Sequence, residues 1–375
     1  MQKVCYFINS DWYFDLHWKE RALAALSEGY EVHIVCNFES TSIRNELNGM
    51  GFITHNSNMA EQSLGICRSL LDSYKAFRIL LNINPHLIHC ITIKSCLIGG
   101  IYAKFFNKAL VLSFVGLGRV FSHNSKKYKF LRFFVKKCYS WIVAKKNVFL
   151  IFEHENDRKV IIGLTNVDSA KTEVIDGAGV NINEFKYELE KQGSRSSVLY
   201  ASRLIWSKGL GDLVEVKKIL LKRGVDFELK VAGIVVKDDP DSIPIETIQQ
   251  WHEQCLITWL GRSYDVNSLI QNSSLIALPS TYAEGVPRIL IEASAVGRPS
   301  IAYDNGGCSS IIKHAITGYL VEKKNLEDLT QKIECLLKNY ELRKTFGLRA
   351  RALVIANFSS DNVINRTLSI YKNLN

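Results

Sequence analysis

In the stretch "ALPSTYAEGVPRILIEASAVGRPSIA", residues 277–302, Glu292 is surrounded by Ile289, Leu290, Ile291, Ala293, Ala295 and Val296. A carboxylate among such neighbours is costly unless it is paired or accepts hydrogen bonds. Glu292 therefore meets either a structural cation or the hydroxyls of a ligand. Pro287 suits the first turn of a helix, which is expected to run to about Val296 before "GRP" ends it. Glu284 lies in the loop ahead of that helix, after the apolar run "SSLIALPS", which reads as a buried strand.

Two cations stand in a second stretch, "SVLYASRLIWSKGLGDLVE". Its strand ends near Ser202, and Arg203 and Lys208 occupy the loop before the next helix. Such a loop presents free N–H groups and the positive end of the helix dipole, which favour an anion. A guanidinium and an ammonium five residues apart suit a diphosphate, one binding it bidentately and the other as a point charge. Two solvated basic residues in a surface loop would look the same. The Walker spacing of glycines and lysine is absent.

These residues need a scaffold, and the alternation of short apolar strands with amphipathic helices predicts a parallel α/β one. Strands are expected at "KVCYFI", "EVHIVC", "LIHCIT", "LVLSFV" and "NVFLIF", with helices such as "HWKERALAALSEG" between them. Around "DGAGVNINEFKYELEKQGSRS" the pattern breaks, so a linker is placed at 181–196 between domains 1–180 and 197–358. The second domain alternates through "SVLYAS", "FELKVAG", "LITWLG", "SSLIALPS" and "PSIAYD", and the tail from Leu326 is helical. Two doubly wound, Rossmann-like domains are predicted, with ligand in a cleft at the carboxyl ends of the strands. The last helix, 359–375, is expected to pack back on the N-terminal domain.

A chain of 375 residues is long for one core, which agrees with two domains. Met1 leads straight into a strand, which argues against a secretory signal, and no apolar run reaches the length of a spanning helix. The nine cysteines lack any C-x-x-C pair and read as reduced cytosolic thiols. From Ser73 through Phe152 there are fourteen Lys and Arg and no Asp or Glu, whereas the whole chain carries only +10. One region therefore faces an anionic partner. A helix is expected from Lys126 to Lys146, with Leu131, Phe134, Val135, Cys138 and Ile142 facing the core. Lys126, Lys129, Arg132, Lys136 and Lys137 project from its other side, with Phe130 and Phe133 among them. Cations interleaved with aromatics fit an anionic lipid surface, and no nucleic-acid-binding motif accompanies them.

In their order these stretches, with "NGGCSSIIKHAITGYLV" and "PHLIHCITIKSCLIGGIYAK", resemble glycosyltransferase family 4, retaining sugar-nucleotide transferases of GT-B fold. The resemblance implies that Arg203 and Lys208 bind the donor diphosphate, that Glu284 holds the donor sugar and that Glu292 bonds the ribose. Gly285, Val286, Pro287 and Gly116 are then donor-binding. The stretches "SDWYFDLHWKERALAALSEGYEV" and "SFVGLGRVFS" look like those of bacterial transferases acting on undecaprenyl-diphosphate-linked sugars of O-antigen or capsule. His17, Gly118, His154 and Glu155 are weaker candidates for acceptor or donor-sugar contact. Family members commonly have an acidic residue where Ser310 stands, and a glycine pair where Ser10, Asp11 and Trp12 stand; both departures bear on donor identity. The expected donor is a UDP-linked hexose or N-acetylhexosamine, the acceptor a lipid-linked saccharide, and the location the cytoplasmic face of the inner membrane. No metal or other cofactor is expected, and Asp239-Pro240-Asp241 reads as a solvated loop. A sugar-nucleotide epimerase, a nucleic-acid binder and a non-catalytic scaffold are the rival classes.

Overall fold

The computed structural model describes residues 1–59, 66–116, 126–175, 177, 179–191, 195–236, 239–263, 265–282 and 285–374, with the backbone alone at 66–70 and 126–131. The described chain forms two compact units, Met1–Ala178 with Asp361–Asn375, and Gly179–Ser360. No described helix is long and apolar enough to cross a membrane.

The first unit is built on seven strands: β1 (Lys3–Ser10), β2 (Glu31–Asn37), β3 (Ile53–Asn56), β4 (Leu87–Ile91), β5 (Ala109–Phe114), β6 (Val148–Phe152) and β7 (Thr172–Val174). They form one parallel sheet in the order β3-β2-β1-β4-β5-β6-β7. Helices on both faces bury the middle strands completely, which is why β4 and β5 read as unbroken apolar runs. The exception inside β4 is His89, and it is satisfied. Its Nδ1 meets the Tyr371 hydroxyl at 2.5 Å and its Nε2 the Ser113 hydroxyl at 2.6 Å. Tyr371 belongs to the terminal helix Ser360–Leu374 and also donates to the Tyr6 hydroxyl at 2.9 Å, so the end of the chain closes this unit's sheet.

The second unit has β8 (Ser197–Ala201), β9 (Glu228–Ala232), β10 (Thr258–Gly261), β11 (Leu275–Leu278), β12 (Ser300–Tyr303) and β13 (Gly318–Val321). All are parallel, in the order β10-β9-β8-β11-β12-β13. The chain winds one way from β8 and the other way from β11, so their carboxyl ends frame a topological switch point.

Several details differ from the sequence expectation. The short strands β3, β7 and β13 escape a reading based on apolar runs, since "ITHN" and "TEV" offer no such run and "GYLV" barely one. The "HWKERALAALSEG" helix is two helices, Asp11–His17 and Lys19–Ser27, broken at the buried Trp18. The basic helix ends at Val143, and Phe134, expected in the core, is 49 % exposed while Val135 and Ile142 are buried.

The linker expected at 181–196 is not a spacer, because its described residues are bonded to the second unit. Arg298, 2 % exposed, donates to the carbonyl of Glu188 and to those of Ser273 and Gln271. Arg343 grips the Glu190 carboxylate through two bonds of 2.8 Å, and Arg351 donates to the carbonyls of Phe185 and Ala295. The break in the strand–helix pattern suggested a linker; here the charges and carbonyls meet arginines from elements more than a hundred residues away.

Imidazoles give the first unit a pH dependence. His33 Nδ1 lies 3.0 Å from His55 Nε2, and His33 Nε2 lies 2.8 Å from Glu31. Burial pushes His55 down to about 4, with His33 and Arg44 adding to the effect, while His33 and His89 are also lowered chiefly by burial. Neutral forms are thus favoured in the folded state, and the unfolded chain binds protons first as pH falls. The melting temperature should drop as pH decreases from about 6.5 toward about 4, and His55→Gln should flatten that slope; a melting temperature constant over this window would contradict the assignment.

Candidate functional site

Beyond β8 the chain anchors on buried Leu204 and Ile205, makes one 3-10 turn, Trp206–Lys208, and enters the helix Leu210–Lys222 through Gly209. Gly209 has φ +82°, and a Cβ there would lie 2.0 Å from the carbonyl oxygen of Pro279. Only glycine permits both the left-handed turn and the close approach of the loop after β11. The turn is steadied from the side by Asp241, which accepts from the Ser207 N–H at 3.1 Å and from the Ser207 hydroxyl. Asp241 is therefore not a solvated residue, as the sequence reading had it. Its carboxylate is fixed beneath the Lys208 turn by bonds that no local pattern reveals.

The loop after β11 is tied to this turn. The N–H groups of Thr281 and Tyr282 donate to the Ser207 carbonyl at 2.8 and 3.1 Å. On its other side the Asn305 amide donates to the Ser280 carbonyl at 3.1 Å and to that of Tyr282. A Cβ on Gly307 would lie 2.3 Å from the Gly285 carbonyl oxygen, so the "NGG" turn after β12 lies flush against the same loop. Three strand ends are thus locked together. In consequence the Arg203 guanidinium carbon and Lys208 Nζ lie 5.7 and 5.1 Å from the centroid of one ring, that of Tyr282. Lys208 is 7 % exposed and Arg203 is exposed. Two cations beside the first turn of a thirteen-residue helix form an anion-suited end to β8.

Pro287 caps the helix Arg288–Val296, Val286 is buried ahead of it, and Gly297 ends it at φ +85°. Glu292 is 6 % exposed and has a structural partner one turn earlier: Arg288 Nε lies 2.6 Å from its Oε1. Burial raises the Glu292 pKa, Arg288 opposes the rise, and Glu184 adds to it. Arginine preceding glutamate by four is the less favourable order for a helix dipole, so the pair answers the desolvation of the carboxylate rather than helix stability. Glu284 lies outside the described residues.

The remaining candidates lie in the first unit. Gly116 follows β5 with φ +123° and open space where a Cβ would stand, whereas Gly118 is outside the described residues. His17 is the last residue of its helix rather than a start, with its ring 4.4 Å from that of Tyr13. His154 caps the helix Glu155–Thr165 by accepting from the Asn156 N–H, and Glu155 pairs with Arg158 at 3.3 Å. Both have local structural duties. On the basic helix Phe133 is 52 % exposed with Lys137 Nζ 4.8 Å from its ring centroid, and Arg132 and Lys136 are described beside it; the side chains of Lys126 and Lys129 are not. Phe105 and Trp141, exposed and 5.6 Å apart, extend this aromatic face. Sequence reasoning missed them, as it missed Tyr282 and Asn305, because each acquires meaning only from a neighbour distant in the chain. Among the described residues no group of three His, Cys, Asp or Glu could hold a metal ion.

Two doubly wound parallel α/β units are the architecture of the GT-B fold. The fold is shared with a glycosyltransferase from Rickettsia africae (TM-score 0.78, 20 % identity, 100 % of this chain and 98 % of that one). It is shared equally with HepE of Anabaena solved in complex with UDP (TM-score 0.76, 17 % identity, 99 % and 100 %). In sequence, residues 181–353 match the family described as "Glycosyl transferases group 1", and residues 3–151 match "Glycosyl transferase 4-like". The chain is 27 % identical over 307 residues, 78 % of each chain, to the N,N'-diacetylbacillosaminyl-diphospho-undecaprenol alpha-1,3-N-acetylgalactosaminyltransferase of Campylobacter jejuni. Other characterised relatives match over about half of their own length. The chain belongs to the glycosyltransferases of this family and is an enzyme of that class.

The Arg288–Glu292 pair has a measurable consequence. Arg288→Met removes the charge that holds the carboxyl down while its burial remains, so Glu292 protonates at higher pH. The acid limb of kcat/KM for the donor should move upward in pH; an unmoved limb would separate Glu292 from the donor step.

Proposed function

We propose that the protein is a retaining glycosyltransferase that moves a hexosyl or N-acetylhexosaminyl group from a UDP-linked donor to an undecaprenyl-diphosphate-linked saccharide, in O-antigen or capsule assembly. The observation that carries this reading is the placement of Arg203 and Lys208 over one ring at the carboxyl end of β8, beside a helix N-terminus. In the reaction the bond from the anomeric carbon to the β-phosphate oxygen breaks and the acceptor oxygen, losing its proton to the departing diphosphate, bonds on the same face. The departing diphosphate gains charge, and two preorganised cations stabilise it more in the transition state than before. They supply the neutralisation for which a metal would otherwise serve, so activity is expected to survive chelation. Glu292, oriented by Arg288, would accept from the ribose hydroxyls, and Glu284 would hold the donor sugar. The lipid-linked acceptor is supported by the name of the Campylobacter relative, and the uridine nucleotide by the UDP bound to HepE.

The acid-free segment 73–152 and the exposed Phe133, Phe134, Phe105 and Trp141 suit docking on an anionic bilayer at the cytoplasmic face of the inner membrane. Each cation near such a surface contributes about 1 kcal/mol. Vesicles containing phosphatidylglycerol should co-sediment the protein, in a manner weakened by salt and by Phe133→Ser with Phe134→Ser. Equal recovery with neutral vesicles would remove the lipid surface from the reading.

Activity is tested with a panel of UDP- and GDP-sugars and a synthetic lipid-diphosphate acceptor, followed by linkage analysis. Transfer with retention is expected; release of an epimerised or free sugar without acceptor would make the protein an epimerase. Lys208→Ala should lower turnover about 10²-fold, as for loss of one charge-stabilising donor. Near-normal turnover of that variant would sink the diphosphate assignment.

A further inference from the structure

Tyr282 carries no charge, yet both cations are registered on it. The Arg203 guanidinium carbon is 5.7 Å and Lys208 Nζ 5.1 Å from its ring centroid, each inside the roughly 6 Å reach of a cation–π interaction. The ring is 40 % exposed, so it is not there to fill the core. Its backbone is fixed on both sides: the N–H donates to the Ser207 carbonyl at 3.1 Å, and the carbonyl accepts from the Asn305 amide. Thr281, its neighbour, is held by the same Ser207 oxygen at 2.8 Å. The ring is therefore placed by bonds to the loops after β8 and β12, independently of either cation. Two like charges in one loop repel each other, and the electron-rich ring face offsets part of that repulsion.

We propose that Tyr282 is a positioning residue that gathers Arg203 and Lys208 at one ring, so that the loop selects a nucleoside diphosphate over a nucleoside monophosphate. This rests on the diphosphate reading of the site given above. A monophosphate is served by one cation, whereas a diphosphate engages both, so loss of the ring penalises the diphosphate more. The phenol hydroxyl has no part in this, and phenylalanine is an adequate replacement.

The experiment compares UDP and UMP binding by titration calorimetry to the full chain and its Tyr282→Phe and Tyr282→Leu variants, at one ionic strength. Thermal melting checks that each variant is folded, and Tyr282→Ser provides a second ring-less variant if the leucine form melts early. Expected is a loss of about tenfold in UDP affinity for the ring-less variants, the size of two partly exposed cation–π contacts. UMP affinity should change less than about twofold, and Tyr282→Phe should keep the UDP-to-UMP ratio of the unaltered protein. A ring-less variant that keeps the ratio, an equal loss for both nucleotides, or a phenylalanine variant as impaired as leucine would each overturn the inference. If the unaltered protein itself binds no UDP, the diphosphate reading falls, and this inference with it.

Discussion

One carbonyl oxygen, that of Ser207, fixes the geometry on which the candidate site depends. It accepts from consecutive N–H groups of the loop after β11, at 2.8 and 3.1 Å, and so joins the two strand ends at the switch point of the second sheet. The contact is possible because Gly209 turns left-handed beside Pro279 and has no Cβ to collide with it. Asp241 holds the turn from outside, and Asn305 holds the partner loop from the other flank. Lys208 sits within this frame, with its ammonium 5.1 Å from the centroid of the Tyr282 ring. Preorganisation of this kind is what makes a cation worth more to a transition state than to free substrate.

Buried charge is handled in the second unit by matching rather than avoidance. Arg298 is nearly inaccessible, and carbonyls at Ser273, Gln271 and Glu188 occupy its donors. Arg343 forms the bidentate pair with Glu190, the geometry in which guanidinium and carboxylate fit best. These contacts make segment 179–191 part of the unit that carries Arg203, Lys208 and Glu292. Glu292 follows the same rule on a smaller scale, with Arg288 opposing the cost of its burial.

The first unit places its chemistry differently. Its sheet interior is closed by the His89–Tyr371–Tyr6 chain of hydroxyl and imidazole contacts, while its aromatics and cations gather outside on the acid-free segment. A polar cluster inside and aromatic side chains exposed to water are each costly in isolation. The first is satisfied internally by the helix Ser360–Leu374; the second stays exposed at Phe105, Phe133, Phe134 and Trp141.

The sequence by itself determined the alternation of strands and helices, the two cores and the positions of Arg203, Lys208 and Glu292, because burial on both faces of a parallel sheet writes continuous apolar runs and makes any charge within them conspicuous. It also showed that Glu292 needed a partner, without saying which. Short edge strands such as β3 and β13 lay below that signal. Tertiary structure alone decided that 185–190 is bonded to arginines rather than free, and that Asp241 steadies the Lys208 turn. It alone brought Tyr282 beneath two cations. Each of these depends on hydrogen bonds and close contacts between strand ends or distant helices, and such pairings leave no periodicity along the chain for a sequence pattern to show.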